Sequence, residues 1–184
     1  MKRCDWKSNN PILLEYHDKE WAKITHDDNL IFETLILETM QAGLSWLTIL
    51  LKRDNFRKAF DNFDYNKIAN YKKEKLEELL LNDGIVKNKL KIYSLPINAN
   101  CFINVQKEFG SFDKYIWQFV DNKQIVNDVK TMNDLDAKND LSILISKDLK
   151  KRGFKFTGPV TVYSFLQAIG IYNDHWNDCF AKFL

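Results

Sequence analysis

The sequence predicts an all-α domain, and three observations carry that prediction. Apolar residues recur at helical spacing along most of the 184 residues, and no alternating apolar–polar run stands out as a strand set. Glycine and proline are sparse, at 6 and 3, so sharp turns are few. Serine, aspartate and these few breakers fall at the ends of the periodic segments, where helix caps belong. No repeat and no flexible linker divides the chain, so residues 1–184 are expected to form a single domain.

The elements follow in order. Asp27–Asp28 is a good helix start, and the NLIFETLILETMQAG that begins at Asn29 is apolar on most of its circumference, as a central buried helix is. Gly43 interrupts it, and Ser45 can cap WLTILLKRDNFRKAF. Asp64 caps a short helix, and KEKLEELLLNDG is expected to end with Gly84 as its C′ residue. VKNKLKIYSLPINANCFINVQKEFG reads as helix with a break or kink at Pro96 and a stop at Gly110. Ser111 caps FDKYIWQFV, and the polar stretch 122–139 reads as loop. DLSILISKDLKKRG stops at Gly153, and PVTVYSFLQAIG runs from Pro159, a natural first-turn proline, to Gly170. The sum is roughly ten helices and essentially no sheet.

Charge is nearly balanced, with 27 basic and 25 acidic residues, so composition does not announce a nucleic-acid partner and any basic surface must come from local clustering. No apolar run reaches the ~18–20 residues that span a bilayer, and MKRCDWKSNN lacks the apolar block of a secretory signal. A cytoplasmic protein without a membrane partner is expected. The three cysteines are widely spaced and odd in number, which argues against a disulfide framework.

His175 and Cys179 stand four residues apart, on one face if that segment is a helix, where imidazole and thiolate could share a zinc ion. Cys4 and His17 are the other such pair segregated to an end, and the four together have the composition of a closed structural site. The plainer readings, cysteine as a small buried apolar residue and histidine as a hydrogen-bonded surface residue, stay open at this point. His26 and Cys101 are not needed by such a site.

LKKRGFKFTGPVTVYSFLQAIG reads as helix, short hairpin with Gly153 and Gly158, and helix. The second helix begins with unpaired N–H groups near Pro159–Thr161, an anion site by geometry and dipole. Lys147, Lys150, Lys151, Arg152 and Lys155 surround it, opposed by Asp148, so a phosphate backbone could be gripped there without its sequence being read. A solvated basic helix followed by a core helix fits the same pattern.

Glu38 lies on the stripe Ile31, Leu35, Glu38, Ala42. A carboxylate among apolar residues is costly unless paired, which marks it as a functional candidate; a rim position would be the bland explanation. Trp6, Tyr16, Trp21 and Trp46 are aromatic neighbours in sequence. Tyr16 and Trp46 offer flat faces for a planar ligand, although such residues are often simply core.

Taken together, RCDW, YHDKEW, LILETMQAGLSWLTILLKR, DGIVKNKLKI, LKKRGFKFTGPVTVYSFLQAIG and NDH with its following Cys make the chain resemble the DNA-3-methyladenine glycosylase I family, in order and nearly end to end. That resemblance implies an all-α, two-lobed helical bundle of the helix-hairpin-helix DNA glycosylase type, with the hairpin motif at about residues 142–169 and one structural zinc joining the termini. It implies excision of 3-methyladenine from alkylated double-stranded DNA by a monofunctional enzyme, with free 3-methyladenine as product; a non-catalytic DNA-binding module is the alternative. By resemblance the zinc ligands fall on Cys4, His17, His175 and Cys179, the base-recognition carboxylate on Glu38, and the base-binding aromatics on Tyr16, Trp46 and Trp21. Gly43 and Leu44 approach the gap left by the flipped base, with Leu44 as the apolar wedge. Lys151, Arg152, Gly153, Lys155, Gly158 and Thr161 form the backbone grip. Asp174 is the nearest counterpart of an aspartate used by wider relatives and receives no role. Leu13 departs from the aromatic that several family members carry there. A monomer is the default.

Overall fold

Local capping chemistry places most of the helices. In the computed structural model, which describes residues 2–6 and 8–183, the Asn10 side chain accepts from the Ile12 amide at 3.0 Å and Pro11 takes the first helical position, starting α1 (Pro11–Lys19). Asp27 caps α2 (Asp28–Gln41) through the Asn29 amide at 2.8 Å. Ser45 caps α3 (Trp46–Ala59), and Asp64 caps α4 (Tyr65–Ile68). After α5 (Lys73–Leu80), Asn88 caps α6 (Lys89–Phe109) and Ser111 caps α7 (Phe112–Trp117). Asn139 forms a capping box at α8 (Asp140–Lys151), and α9 spans Pro159–Ala168.

Four expectations need correction. The chain folds α1 where no helix was read, although Asn10–Pro11 carried the start signal. α5 stops at Leu80, and Gly84 is not its C′ residue: its amide donates to the Asn82 side chain at 2.8 Å in a separate turn. Of the break or kink expected at Pro96 the break does not occur: α6 continues through it, with Ile92, Leu95, Ala99, Phe102 and Val105 buried on both sides of the missing amide. The stretch read as loop also contains β1 (Ile125–Val126), which pairs in parallel with β2 (Tyr172–Asn173), Ile125 opposite Tyr172. Two residues per strand leave the molecule mostly helical.

α2 is the central helix that its apolar circumference predicts. Ile31, Phe32, Leu35, Ile36 and Met40 are fully buried, and α3, α6, α7 and α9 pack around it. A second, smaller apolar cluster joins Cys4, Tyr16, Trp21 and Leu50 to Cys179 and Ala181. It brings both ends of the described chain against α1 and α3. No helix among the described residues is long and apolar enough to cross a membrane.

Candidate active site

A cavity of about 500 Å³ opens between α1, α2, α3 and α9. Its walls include Trp6, Leu13, Tyr16, Trp21, Glu38 and Trp46, with Ser164 and Gln167 from α9. The first helical residue of α3 and the middle of α2 therefore meet the adjacent turn of α1, which no stretch of sequence alone brings together.

Glu38 is 3% exposed, and its Oε2 has no hydrogen-bond partner among the described residues. Burial pushes its carboxyl up to about 8, so it carries a proton at neutral pH. A buried polar atom left unpaired at a cavity wall is costly for folding and useful for a ligand. The indole Nε1 of Trp46 is likewise buried without a partner. Burial and the nearby Glu38 raise the Tyr16 phenol well above its ordinary range, so it stays neutral.

Tyr16 and Trp46 meet with ring centroids 5.3 Å apart and planes 56° apart. They are tilted rather than parallel; a base between two rings needs them roughly 7 Å apart, so one ring must turn to stack on both faces. Trp21 is buried behind them, in edge contact with Trp6 at 4.8 Å. Leu13 does line the cavity, at the place where the resemblance is weakest.

His17 follows Tyr16 on α1, and a step of about 100° per residue turns it away from the cavity wall. Its Nε2 lies 3.6 Å from the Cys179 sulfur, and the donor atoms of Cys4, His17 and Cys179 all fall within 4.8 Å of one another, all buried. His175 sits beside them: its ring centroid is 4.9 Å from that of His17, and its Nε2 faces the His17 carbonyl at 3.4 Å. The Nδ1 atoms of both rings are engaged elsewhere, His17 with Asp18 and His175 with Asn173, each at 2.9 Å. The helix expected for His175 and Cys179 is absent. They flank a turn in which the Cys179 amide donates to the Trp176 carbonyl at 2.9 Å, in a stretch (NDHWND) rich in turn formers. The three cysteines are free.

α8 and α9 pack against each other across the connection 152–158, which holds Gly153 and Gly158. Gly153 takes φ +100°, and a Cβ there would stand 3.2 Å from the Cys101 sulfur, so only glycine fits easily. Gly158 precedes α9 without a side-chain cap, and Thr161 lies in the first turn, half-buried. Lys147, Lys150, Lys151 and Lys155 are exposed around it. Arg152 is occupied differently. Its guanidinium pairs with Glu108 and Asp148, both at 2.6 Å, and lies over the rings of Phe109 and Tyr115. Arg152→Ala is therefore expected to lower the melting temperature by several degrees while leaving the salt dependence of DNA binding unchanged; a reduced salt slope would restore it to the phosphate grip.

At the end of α2, Gly43 takes φ +83° and Leu44 is 41% exposed at the tip of the turn. Asp174 is fully buried and accepts from Asn127 at 2.6 Å, Tyr163 at 2.6 Å and Gln167 at 2.7 Å. It does not line the cavity; it holds Gln167, which does. Sequence reading missed Ser164 and Gln167, three apart on α9, because nothing local distinguishes them from surface polar residues.

The model of the family described as methyladenine glycosylase matches residues 6–182. The DNA-3-methyladenine glycosylase of Haemophilus influenzae (strain ATCC 51907 / DSM 11121 / KW20 / Rd) is 41% identical, covering 98% of this chain and 97% of its own length. DNA-3-methyladenine glycosylase 1 of Escherichia coli (strain K12) is 39% identical over 97% of this chain and 96% of its own. Among solved structures, 3-methyladenine DNA glycosylase I from Staphylococcus aureus, described for its recognition of 3-methyladenine, aligns with a TM-score of 0.95, at 36% identity over 99% of this chain and 97% of that one.

Proposed function

The chain belongs to the methyladenine glycosylase family, and we propose that it is a DNA-3-methyladenine glycosylase that hydrolyses the N-glycosidic bond of 3-methyladenine in alkylated DNA. The observation that carries this reading is Glu38, a buried and unpaired carboxyl in an aromatic-walled cavity of the size that takes one small ligand.

The base must first leave the duplex stack, at a cost of roughly a few kcal/mol. Leu44, apolar and exposed at the tip of a glycine-bent turn, fills the gap, and the lysines around the α8–α9 hairpin hold phosphates as a helix-hairpin-helix grip. Methylation at N3 leaves the ring cationic and its glycosidic bond weak. Tyr16 and Trp46 stack on the cation, and Glu38 accepts a hydrogen bond from the exocyclic amine. The cation favours the carboxylate form of Glu38, so binding releases the proton that burial had kept there. Positive charge moves to the sugar as the bond breaks, and water completes the hydrolysis. Among the described residues no lysine lines the cavity, which fits a monofunctional enzyme without a covalent amine intermediate.

The clustered donors of Cys4, His17 and Cys179 support a single structural zinc ion, with His175, whose Nε2 now faces the His17 carbonyl, turning in as the fourth ligand. A tetrahedral site with ~2.3 Å Zn–S and ~2.1 Å Zn–N bonds has an S···N edge of about 3.6 Å, the separation found between Cys179 and His17. The Trp176 amide donates to the Cys4 sulfur at 3.2 Å, and each histidine is oriented through its Nδ1, the outer-shell pattern of metal ligands. When bound, the ion would supply cross-linking of the chain ends and no chemistry, since four protein ligands leave no open position. His17 would then fix α1 and, through it, Tyr16.

The test is base release. Purified protein incubated with methylated duplex is expected to liberate 3-methyladenine and leave intact abasic strands; DNA binding without release would favour the non-catalytic reading.

A further inference from the structure

The turn Gln41–Ser45 and the α8–α9 hairpin are far apart in sequence, yet both rest on one helix. Lys91, in the first turn of α6, is 5% exposed, and its ammonium donates to the carbonyls of Met40 at 2.8 Å and Ala42 at 2.7 Å. These belong to the C-terminal end of α2, where carbonyls lack helical partners, immediately before Gly43 and Leu44. Seven residues on, the fully buried Asn98 accepts from the Lys155 amide at 2.7 Å and donates to the Lys155 carbonyl at 3.2 Å. One side chain thus holds both backbone groups of a hairpin residue. The Cys101 thiol adds a contact to the Arg152 carbonyl at 3.3 Å. Residues seven apart on a helix lie almost on one line, about 10.5 Å apart along the axis.

Leu95 and Phe102 line the same side of α6, and the buried Ser94 between Lys91 and Asn98 turns its hydroxyl back to the Lys91 carbonyl, so burying an ammonium and a carboxamide there is costly unless they act on something. Lys91 acts on the last carbonyls of the core helix α2, where it gives way to the turn Gln41–Ser45, and Asn98 acts on the main chain of the α8–α9 connection. We propose that α6 is a splint in which Lys91 and Asn98 are positioning residues, fixing the separation of those two elements so that both engage one lesion at once. The proposal rests on the glycosylase reading above. With the spacing fixed, the first contact makes the second intramolecular; with it loose, each binds alone and weakly. Neither residue lines the cavity, but Gln41 and Ser45 of the turn that Lys91 holds do, so free-base binding separates splint from cavity at Asn98 and not at Lys91.

The experiment is a double-mutant cycle of Lys91→Met and Asn98→Ala in the full chain. It measures KM and kcat for excision from methylated duplex, and affinity for free 3-methyladenine by tryptophan fluorescence. Each single variant is expected to raise KM on duplex roughly tenfold, and Asn98→Ala to leave free-base affinity unchanged. The double variant is expected to be no worse than the poorer single one, because the spacing is lost already; independent structural damage at sites this far apart adds instead. Lys91→Arg, which keeps the charge and donors, should recover part of the loss, and it replaces Lys91→Met in the cycle if that variant fails to fold. Additive effects on KM, an unchanged KM, or a loss in Asn98→Ala mirrored in its free-base affinity would overturn the splint. A wild-type chain that releases no 3-methyladenine removes the glycosylase reading itself, whereas active wild type with equally active variants removes the splint alone.

Discussion

Glu38→Gln is expected to lower kcat/KM for 3-methyladenine release by about a hundredfold or more while raising thermal stability. The two effects share one cause. In the folded chain burial holds the Glu38 carboxyl at about 8 against an ordinary value of 4.5, so between those values the folded state binds more protons than the unfolded one. Stability attributable to Glu38 therefore falls as pH rises from about 4.5 to about 8 and is fully lost above that range. By pH 7 the penalty is on the order of 3 kcal/mol, and glutamine, nearly the same shape and never ionised, escapes it. Glutamine can still accept a hydrogen bond from the exocyclic amine, so the lost activity isolates the negative charge that balances a cationic base. In the wild type, kcat/KM should rise from pH 6 and level off above about 8, and the variant should lack that limb. Undiminished activity in the Glu38→Gln variant, or a wild-type profile flat from about pH 6 to 9, would refute the assignment.

Cys179→Ala is expected to cost on the order of 3–5 kcal/mol of stability, because it removes a ligand of the proposed zinc site and opens a cross-link that closes nearly the whole chain into one loop. Thermal melts should show wild type stripped by a chelator and untreated variant converging on one lowered melting temperature. Elemental analysis should find one zinc per wild-type chain. Activity at low temperature should largely survive, since the ion takes no part in bond cleavage, and should fail early on warming as α1 loosens and carries Tyr16 with it. Loss of activity at an unchanged melting temperature, or a metal-free wild type of full stability, would sink the structural role.

Much of the helical frame was legible because capping is local. Asp27, Ser45, Asp64 and Ser111 each bond an amide within three residues, and Gly110 and Gly153 take the left-handed conformations their positions suggested. Asn10–Pro11 carries the same kind of local signal for α1. The packing that carries α6 through Pro96 comes from distant segments and is not legible locally. Glu38 stood out as a carboxylate on an apolar stripe, which is a sequence property. Arg152 did not reveal its occupation, since Glu108 is 44 residues away and comes beside it only in the fold.

The sequence by itself determined a mostly helical chain, the ends of most helices, the family, and a carboxylate where apolar residues belong, all of which follow from short-range chemistry and residue pattern. Only the tertiary structure decided that Tyr16 and Trp46 lean together rather than lie parallel, that Arg152 ties the hairpin down, and that Lys91 and Asn98 hold two distant loops. Those outcomes depend on contacts between residues tens of positions apart, where packing and desolvation, and not local propensity, select each side chain's partner.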